Sequence, residues 1–490
     1  MSRVETFGSR WGLVLATLGM AVGTGNIWRF PRVAASNGGG AFLVAWVVFL
    51  LLWSVPLIIV EFSFGKRSRQ GVVGAFAATG GPRLAWMGAW AALCAGLIGA
   101  YYSVVSGWCL RYLAAASTGQ LAGSGSAEAL WNRFNSTPAA LGTQLLALGI
   151  CVGVVWFGVR GIERVAKVLI PTLFVLVLVL ALRAVTLPGA ERGLAFLFGV
   201  EWGRLADPSI WLQALTQNAW DTGAGWGLIV TYAIYMRSKE DVALNGFLIG
   251  FGNNSVSLLA GIMVLCTIFA INPDAQSQIV GAGNEGLTFI WMPELFDTMP
   301  GGGFFMVLFF LALSFAAITS LIAMLELATR VLIDLGLPRR RALLWVSGIL
   351  LVIGVPSALD LSVFSNQDWV WGVGLMLSGL FFALAARAFG LERLRAEVVN
   401  GDGCDLRIGR WWVFAVGVLV PIEAVTLIFW WLKDAHDSDP AGWLAPFGRY
   451  TVGTVVLQWS IALAALWAAN GWLARRSAAT QAAKLREDGE

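Results

Sequence analysis

The chain has 490 residues and a formal net charge of +4; 58% of its residues are hydrophobic and only 13% are charged. Soluble domains carry about 25% charged residues, so this composition excludes a soluble globular protein. Cys94, Cys109, Cys151 and Cys266 lie inside apolar runs and Cys404 in a basic loop, which is not the pattern of a disulfide framework.

Apolar runs long enough to cross a bilayer recur along the whole chain. A helix needs roughly 20 residues to cross about 30 Å of hydrocarbon. The sequence predicts twelve such spans, at residues 11–34, 41–64, 86–114, 138–158, 164–186, 209–236, 242–271, 303–333, 342–357, 369–389, 411–432 and 450–474. We therefore expect an all-α integral membrane protein.

The positions of the basic residues predict the orientation of these spans. If the N-terminus is cytoplasmic, most of the 33 Lys and Arg residues fall in cytoplasmic segments, whereas the outer loop 272–302 contains none. This is the distribution that the positive-inside rule describes. Both termini are predicted to be cytoplasmic, and the scattered basic residues give no support for a nucleic-acid partner.

Two of the predicted spans contain clustered glycines at their centres. The glycines of the first and sixth spans are Gly19, Gly23, Gly25, Gly223, Gly225 and Gly227. Glycine costs about 1 kcal/mol against alanine inside a helix, so three together favour an interruption, although close helix packing would also select glycine. Interrupted helices are tolerated at bilayer depth where they line a cavity. Interrupting the first span of each half predicts two inverted five-helix repeats with a midplane site.

These residues resemble the neurotransmitter:sodium symporter family. The resemblance rests on GMAVGTGNIWRFP at 19–31, NGGGAF at 37–42, the pair Tyr101 and Tyr102, and AAITS at 316–320. It covers nearly the whole chain and implies 12 transmembrane helices, with helices 1 and 6 broken and the last two helices peripheral.

The family resemblance also implies a division of the chain and a function. The first repeat would occupy 1–187, the second repeat 188–390, and the peripheral helices with a cytoplasmic tail 391–490. The implied function is sodium-coupled symport of a small neutral amino acid by alternating access in a bacterial inner membrane. The identity of the amino acid, the sodium stoichiometry and the oligomeric state stay open.

The resemblance implies two Na⁺ sites, built from the oxygen ligands that hard cations prefer. One site would use the Ala21 carbonyl with Asn26, Asp221 and Asn253. The other would use oxygens from the first and eighth helices, namely those of Gly19, Val22, Ala316, Thr319 and Ser320. The last two hydroxyls could instead bond back to the carbonyls of their own helix.

A substrate site is implied beside the first break. Amides at the positive end of the broken helix would hold a carboxylate, with Gly23 and Gly25 allowing a close approach and Tyr102 adding its hydroxyl. Members that carry decarboxylated monoamines have Asp at the position of Gly23, so glycine here points to amino acids. The remaining predicted substrate residues are Ala21, Ile98, Val105, Trp220, Gly223, Trp226, Ser320 and Met324. An apolar lining indicates a neutral substrate, although each apolar residue could equally be plain core.

Asp221 departs from the family pattern, in which many members have Thr or Ser. A carboxylate at bilayer depth is a functional candidate by default, and we expect it to bind sodium and to supply a fixed negative charge. Trp46 occupies the place of a chloride-binding Tyr, whereas Gln217 and Ser257 match other chloride-site positions. We therefore predict transport without chloride. Pairing of Asp221 with a neighbouring Asn for structure, proton uptake by it, or contact with the substrate amine are the alternatives.

Charged residues near the two ends of the site suggest gates. Arg29 and Asp368, which is expected just before the tenth span, would form an outer gate above Tyr102 and Trp220. Arg3 and Asp334 would form an inner gate, although the N-terminal motif matches the family poorly.

Three further acidic residues are predicted at membrane depth. Glu61 is expected to bind the free amides of the broken helices, and Glu326 and Glu423 have no assigned role.

Other classes of function are weakly supported. The only histidine is His436 in an outer loop, and the sequence contains no HExxH, Gly-x-Ser-x-Gly or P-loop pattern, so we do not expect an enzyme. A ligand-gated ion channel or a transport-silent amino-acid sensor on the same fold remains an alternative.

Overall fold

The computed structural model describes residues 6–272, 274 and 276–489, and every regular element within them is a helix. The helices of the first part are α1 (Arg10–Ala21), α2 (Phe30–Ser36), α3 (Gly40–Phe49), α4 (Val55–Ser68), α5 (Val72–Thr79), α6 (Ala85–Ser117), α7 (Ser126–Phe134), α8 (Pro138–Val155) and α9 (Gly158–Val185). Those that follow are α10 (Ala190–Phe198), α11 (Pro208–Asp221), α12 (Leu228–Ala233), α13 (Val242–Ile271), α14 (Gln276–Gly281), α15 (Gly283–Glu285), α16 (Met292–Asp297), α17 (Gly302–Asp334), α18 (Arg339–Leu359), α19 (Leu361–Phe389), α20 (Leu391–Leu394), α21 (Trp411–Phe414), α22 (Val420–Ser438) and α23 (Val452–Gly489).

Short turns of other helix types link some of these elements. The π-helical turns are Gly25–Arg29, Leu50–Ser54, Gly286–Trp291, Arg395–Val399 and Ala415–Leu419, and the 3₁₀ turns are Pro82–Leu84 and Trp202–Ala206. Two of the π turns join α3 to α4 and α21 to α22, so each of these pairs forms one long membrane helix.

Among the described residues, 10 helices are long and apolar enough to cross a membrane. They correspond to ten of the twelve predicted spans, and the remaining two are the glycine-rich spans that the structure interrupts. Helix ends differ from the prediction because charged residues extend several helices beyond the apolar run. The tenth span begins at Leu361 and not at 369, so Asp368 lies inside α19 and the expectation that it precedes this span is wrong.

Long helices surround the two interrupted segments. Helix α6 packs on α8, α17, α18 and α19, and α9 packs on α1, α13 and α17. In the most apolar window of α19, 83% of the residues are buried, against 22% in α23. Helix α19 therefore belongs to the centre of the bundle and α23 to its edge. The residues of the two interruptions, 22–26 and 222–227, are themselves buried or half-buried.

Candidate substrate and sodium site

The first interruption lies between α1 and α2. Val22 takes an extended conformation with φ −75° and ψ 98°, which ends α1 at Ala21. The expectation that Gly19 contributes to this break is wrong, because Gly19 lies inside α1. A Cβ there would come within 2.7 Å of Ile170, so close packing between α1 and α9 explains this glycine.

The backbone amides of the first break have defined partners. The Gly23 amide donates to the Asn26 side-chain oxygen at 2.8 Å, and the Thr24 amide donates to the Tyr102 hydroxyl at 3.0 Å. The amide of Gly25 opens the next helical turn, and a Cβ on Gly25 would meet nothing within 4 Å. The start of this turn therefore faces open space, as an anion-binding helix end requires.

The second interruption depends on left-handed glycines. Gly223, Gly225 and Gly227 have φ values of +70°, +85° and +81°, a region that other residues rarely adopt. The buried carboxylate of Glu61 binds the freed backbone, accepting from the amides of Gly225 at 2.7 Å and Val230 at 3.2 Å. These contacts confirm that Glu61 binds amides of a broken helix, specifically those of the sixth span.

Polar atoms from three segments converge between the two breaks. One atom of the Asn253 side-chain amide lies 3.2 Å from the Ala21 carbonyl oxygen and 2.9 Å from the Asp221 carbonyl oxygen. The surrounding hydrogen bonds determine which atom of an amide faces a neighbour. With nitrogen on this side, Asn253 donates to both carbonyls; with oxygen on this side, it accepts from the Asn26 amide nitrogen at 2.9 Å and lies against the two carbonyl oxygens. A cation between these three oxygens would relieve their repulsion, so this set of residues fits Na⁺.

The side chain of Asp221 is held by two donors. Its Oδ2 accepts from the Gln217 amide at 3.1 Å and from the Ser257 hydroxyl at 3.2 Å, and its Oδ1 is buried without a hydrogen-bond partner among the described residues. Asn218 does not bind this carboxylate, because its amide donates to the Trp46 carbonyl at 2.9 Å. A buried carboxylate oxygen with no donor is available to a cation.

The second predicted sodium set brings α17 against the end of α1. The Ser320 hydroxyl lies 3.5 Å from the Val22 carbonyl oxygen. The Thr319 hydroxyl donates within its own helix, to the Ala316 carbonyl at 3.2 Å among others, which is the alternative geometry that the sequence left open. A Cβ on Gly19 would lie 3.3 Å from the Thr319 side chain. All five residues are therefore neighbours across the interface of α1 and α17.

A cavity of about 750 Å³ opens beside both breaks. All the predicted substrate residues line it: Ala21, Gly23, Gly25, Ile98, Tyr102, Val105, Trp220, Gly223, Trp226, Ser320 and Met324. Tyr102 and the first break supply polar groups, whereas Ile98, Val105 and Met324 supply an apolar wall. The cavity continues past Arg29 to loop residues such as Arg449, so it is open at one end.

Comparison with known proteins identifies the family. The sequence matches the sodium:neurotransmitter symporter family over residues 4–140 and 136–476. The chain belongs to this family. It is 32% identical to the uncharacterized sodium-dependent transporter YhdH of Bacillus subtilis, covering 86% of this chain and 96% of that protein. It is 27% identical to the sodium-dependent serotonin transporter of Drosophila melanogaster, covering 92% of this chain and 80% of that protein.

A solved structure of a relative has a similar fold. The crystal structure of MhsT in complex with L-phenylalanine superposes with a TM-score of 0.77 at 31% identity, covering 87% of this chain and 99% of that one. The family is one of sodium symporters, and both YhdH and the serotonin transporter are sodium-dependent transporters. The predictions of the family, of a sodium-dependent membrane transporter and of a protein that is not an enzyme are confirmed.

The residues of the predicted outer gate form no ion pair with each other within the described part of this symporter. Arg29 and Asp368 both line the cavity. The Arg29 guanidinium lies over the Trp220 ring, 5.2 Å from its centre, and its Nη1 is buried without a hydrogen-bond partner among the described residues. Pairing of Arg29 with Asp368 therefore stays a prediction for a closed state.

The predicted inner gate is only partly described. Arg3 lies outside the described residues. Asp334 contacts Arg330 at 3.0 Å and accepts from the Gly71 amide at 2.5 Å. These contacts join the end of α17 to the turn before α5, on the side opposite the open cavity.

The structure assigns contacts to one of the two remaining acidic residues. Glu326 is fully buried, where it accepts from the Tyr235 hydroxyl at 2.8 Å and pairs with Arg339 at 2.6 Å. This network links α17 to the segment after α12 and to the start of α18. Glu423 in α22 has an Oε2 without a hydrogen-bond partner among the described residues.

Met20 and Thr24 are among the cavity residues that the sequence analysis missed. Met20 faces the second break, since a Cβ on Gly223 would lie 3.3 Å from the Met20 methyl group. Thr24 links the first break to Tyr102. Both lie within the recognised 19–31 motif, but the directions of their side chains depend on how the helix breaks, which residue spacing does not give.

Proposed function

We propose that this chain is a symporter that couples sodium entry to the uptake of a neutral amino acid with an apolar side chain, by alternating access and without chloride. The observation that carries the proposal is the meeting of the Asn253 side-chain amide with the carbonyl oxygens of Ala21 and Asp221 directly beside an open cavity. It supports a cation site next to the space that a substrate would fill.

The polar end of the cavity suits a carboxylate. The Tyr102 hydroxyl already accepts from the Thr24 amide, and a phenol has one proton to donate, so that proton remains available to an incoming anion. The Gly25 amide lies at the start of a helical turn, where the helix dipole favours negative charge. Gly23 adds no charge of its own, which supports an α-amino acid over an amine.

Two sodium sites are proposed around the first break. Asn26 and Asn253 would contribute amide oxygens to the first site, with the carbonyls of Ala21 and Asp221 and the free carboxylate oxygen of Asp221. The carbonyl and hydroxyl groups at the interface of α1 and α17 would form the second. Bound sodium supplies positive charge beside the substrate carboxylate, which couples the binding of the two.

Independence from chloride follows from the surroundings of Asp221. Its carboxylate lies between the Gln217 amide and the Ser257 hydroxyl, two donors that could otherwise hold an anion. The fixed carboxylate supplies the negative charge that would balance sodium, so no mobile anion is needed.

The apolar wall indicates the class of amino acid. Ile98, Val105, Trp226 and Met324 present hydrocarbon and aromatic surface to the cavity, and a charged substrate side chain would be desolvated there without a partner. The MhsT complex contains L-phenylalanine, which supports a substrate with a large neutral side chain for the present protein as well.

We also propose the architecture and location that the sequence implied. The 10 long helices and the two interrupted segments together would make twelve spans, divided into repeats 1–187 and 188–390 and a peripheral part 391–490. The protein would lie in a bacterial inner membrane with both termini in the cytoplasm.

Uptake into proteoliposomes tests this function. Radiolabelled L-phenylalanine is offered with an inward sodium gradient, with potassium replacing sodium, and with gluconate replacing chloride. We expect saturable accumulation that requires sodium and persists in gluconate. Binding without accumulation would support a sensor, non-saturable flux would support a channel, and collapse in gluconate would contradict the role of Asp221.

A further inference from the structure

The side chain of Trp220 rests directly on the backbone of α19. A Cβ placed on Gly372 would lie 1.8 Å from Cζ2 and 2.5 Å from Cη2 of the Trp220 indole. Real Cβ atoms do not approach other atoms this closely, so only glycine at 372 accommodates the ring in this position. Gly372 is buried within α19 and thus forms a notch that receives the outer edge of the indole.

The other sides of the same indole face the cavity. The Arg29 guanidinium lies 5.2 Å from the ring centre, and the Trp226 ring packs edge-on at 6.1 Å. Trp220 and Trp226 both line the cavity. Because the backbone of α19 blocks one side, an indole that leaves the notch moves toward the cavity.

We propose that Gly372 is a positioning residue that holds Trp220 away from the substrate pocket until substrate is bound. The inference rests on the proposed function, since it concerns access to the same cavity. With the ring in the notch the pocket is open; without the notch the ring covers the pocket in the absence of substrate. The size of residue 372 thereby sets the balance between the open and covered states.

Three variants test this inference: Gly372→Ala, Trp220→Phe and the double variant. Gly96→Ala is the matched control, because Gly96 lies inside α6 and a Cβ there meets nothing within 4 Å. Phenylalanine lacks the outer indole carbons that approach Gly372, so it relieves the overlap that alanine creates. Thermal unfolding without amino acid first checks that each variant is folded.

Association and dissociation of radiolabelled L-phenylalanine in sodium are then measured separately. For Gly372→Ala we expect association to slow by about tenfold, equivalent to about 1.4 kcal/mol, and dissociation to slow as well, since the covered state also retains bound substrate. The double variant should associate within about twofold of Trp220→Phe, the limit of ordinary additivity. The control should match the wild type.

The outcomes separate this inference from the proposed function. Gly372→Ala with wild-type association would overturn the notch, and so would a double variant that stays as slow as the single alanine variant. Faster dissociation in Gly372→Ala would indicate a damaged pocket and would also overturn it. A wild-type protein that binds L-phenylalanine equally well in potassium would contradict the proposed sodium coupling while leaving the kinetic comparison of the variants intact.

Discussion

Replacement of Glu61 by Gln should destabilise the second break strongly. Glu61 is fully buried, and its two carboxylate oxygens each accept a backbone amide, from Gly225 at 2.7 Å and from Val230 at 3.2 Å. Glutamine has the same shape but only one oxygen. One amide would therefore face an NH₂ group and lose its acceptor, and the other bond would lose its charge.

The magnitude follows from these two losses. A hydrogen bond to a charged group contributes roughly 1.5–3 kcal/mol, and an unsatisfied buried donor costs roughly 1–3 kcal/mol. We therefore expect Glu61→Gln to lower the free energy of unfolding by about 3 kcal/mol. A domain of 150–250 residues shifts its midpoint by roughly 2–4 °C per kcal/mol, so a chain about twice as long should lose about 5 °C.

Thermal unfolding followed with a thiol-reactive dye measures this loss. Cys94, Cys109, Cys151 and Cys266 are buried and become reactive on unfolding, whereas partly exposed Cys404 is first replaced by Ser. Glu423→Gln is the control, because it removes an intramembrane charge whose Oε2 has no hydrogen-bond partner among the described residues. If Glu61→Gln unfolds at the same temperature as Glu423→Gln and the wild type, the carboxylate does not stabilise the break and the reasoning is refuted.

Three further changes follow from the same contacts. Gly23→Ala places a Cβ 2.9 Å from the Ser320 hydroxyl and 3.1 Å from the Tyr102 hydroxyl. Overpacking of roughly 1–3 kcal/mol should weaken L-phenylalanine binding about 5- to 150-fold in equilibrium titrations, whereas unchanged affinity would show that the pocket lies elsewhere. Tyr102→Phe removes the hydroxyl that is proposed to donate to the substrate carboxylate. It should weaken L-phenylalanine binding by about 10- to 100-fold, and an equal loss of affinity for the amine 2-phenylethylamine would exclude carboxylate recognition. Tyr235→Phe removes a 2.8 Å bond to Glu326 and should lower the free energy of unfolding by about 1–3 kcal/mol, measured by the thiol assay; a variant as stable as the wild type would show that this bond contributes nothing.

The sequence predicted the interruptions because their cause is local. Gly223, Gly225 and Gly227 alternate through one turn, and all three adopt the left-handed conformation that glycine alone accepts readily. Gly19 looked similar but serves close packing against Ile170. Composition does not distinguish a glycine that breaks a helix from one that allows close packing, because close packing depends on which residue of another helix lies opposite.

The ends of the helices were harder to predict. Asp368 was expected just before a tenth span that starts at residue 369, yet α19 begins at Leu361. A helix that faces a polar cavity can carry a carboxylate inside its span, and apolar run length gives no indication of this. The short helices in the loops, such as α7 and α10, were also missed because each has only 9 residues, too few for a membrane span.

Most residues of the candidate site were predicted from their positions in the motifs, whereas the contacts between them became known only from the fold. The eleven predicted substrate residues line one cavity, although they derive from segments far apart in the sequence. The partners of Asp221 were partly misjudged: Asn218 binds the Trp46 carbonyl, and the carboxylate binds Gln217 and Ser257. Several polar groups lie close enough to pair with Asp221. The choice among them depends on side-chain rotamers, which the sequence does not specify.

The central claim is that backbone and Asp221 oxygens at two broken helices hold Na⁺ beside a carboxylate. The most direct test measures the affinity for L-phenylalanine in sodium and in potassium, and compares it with the affinity for 2-phenylethylamine. Coupling of 1–3 kcal/mol between cation and substrate predicts binding about 5- to 150-fold tighter in sodium, and much weaker binding of the amine. Equal affinity for the amino acid in both cations would contradict the account.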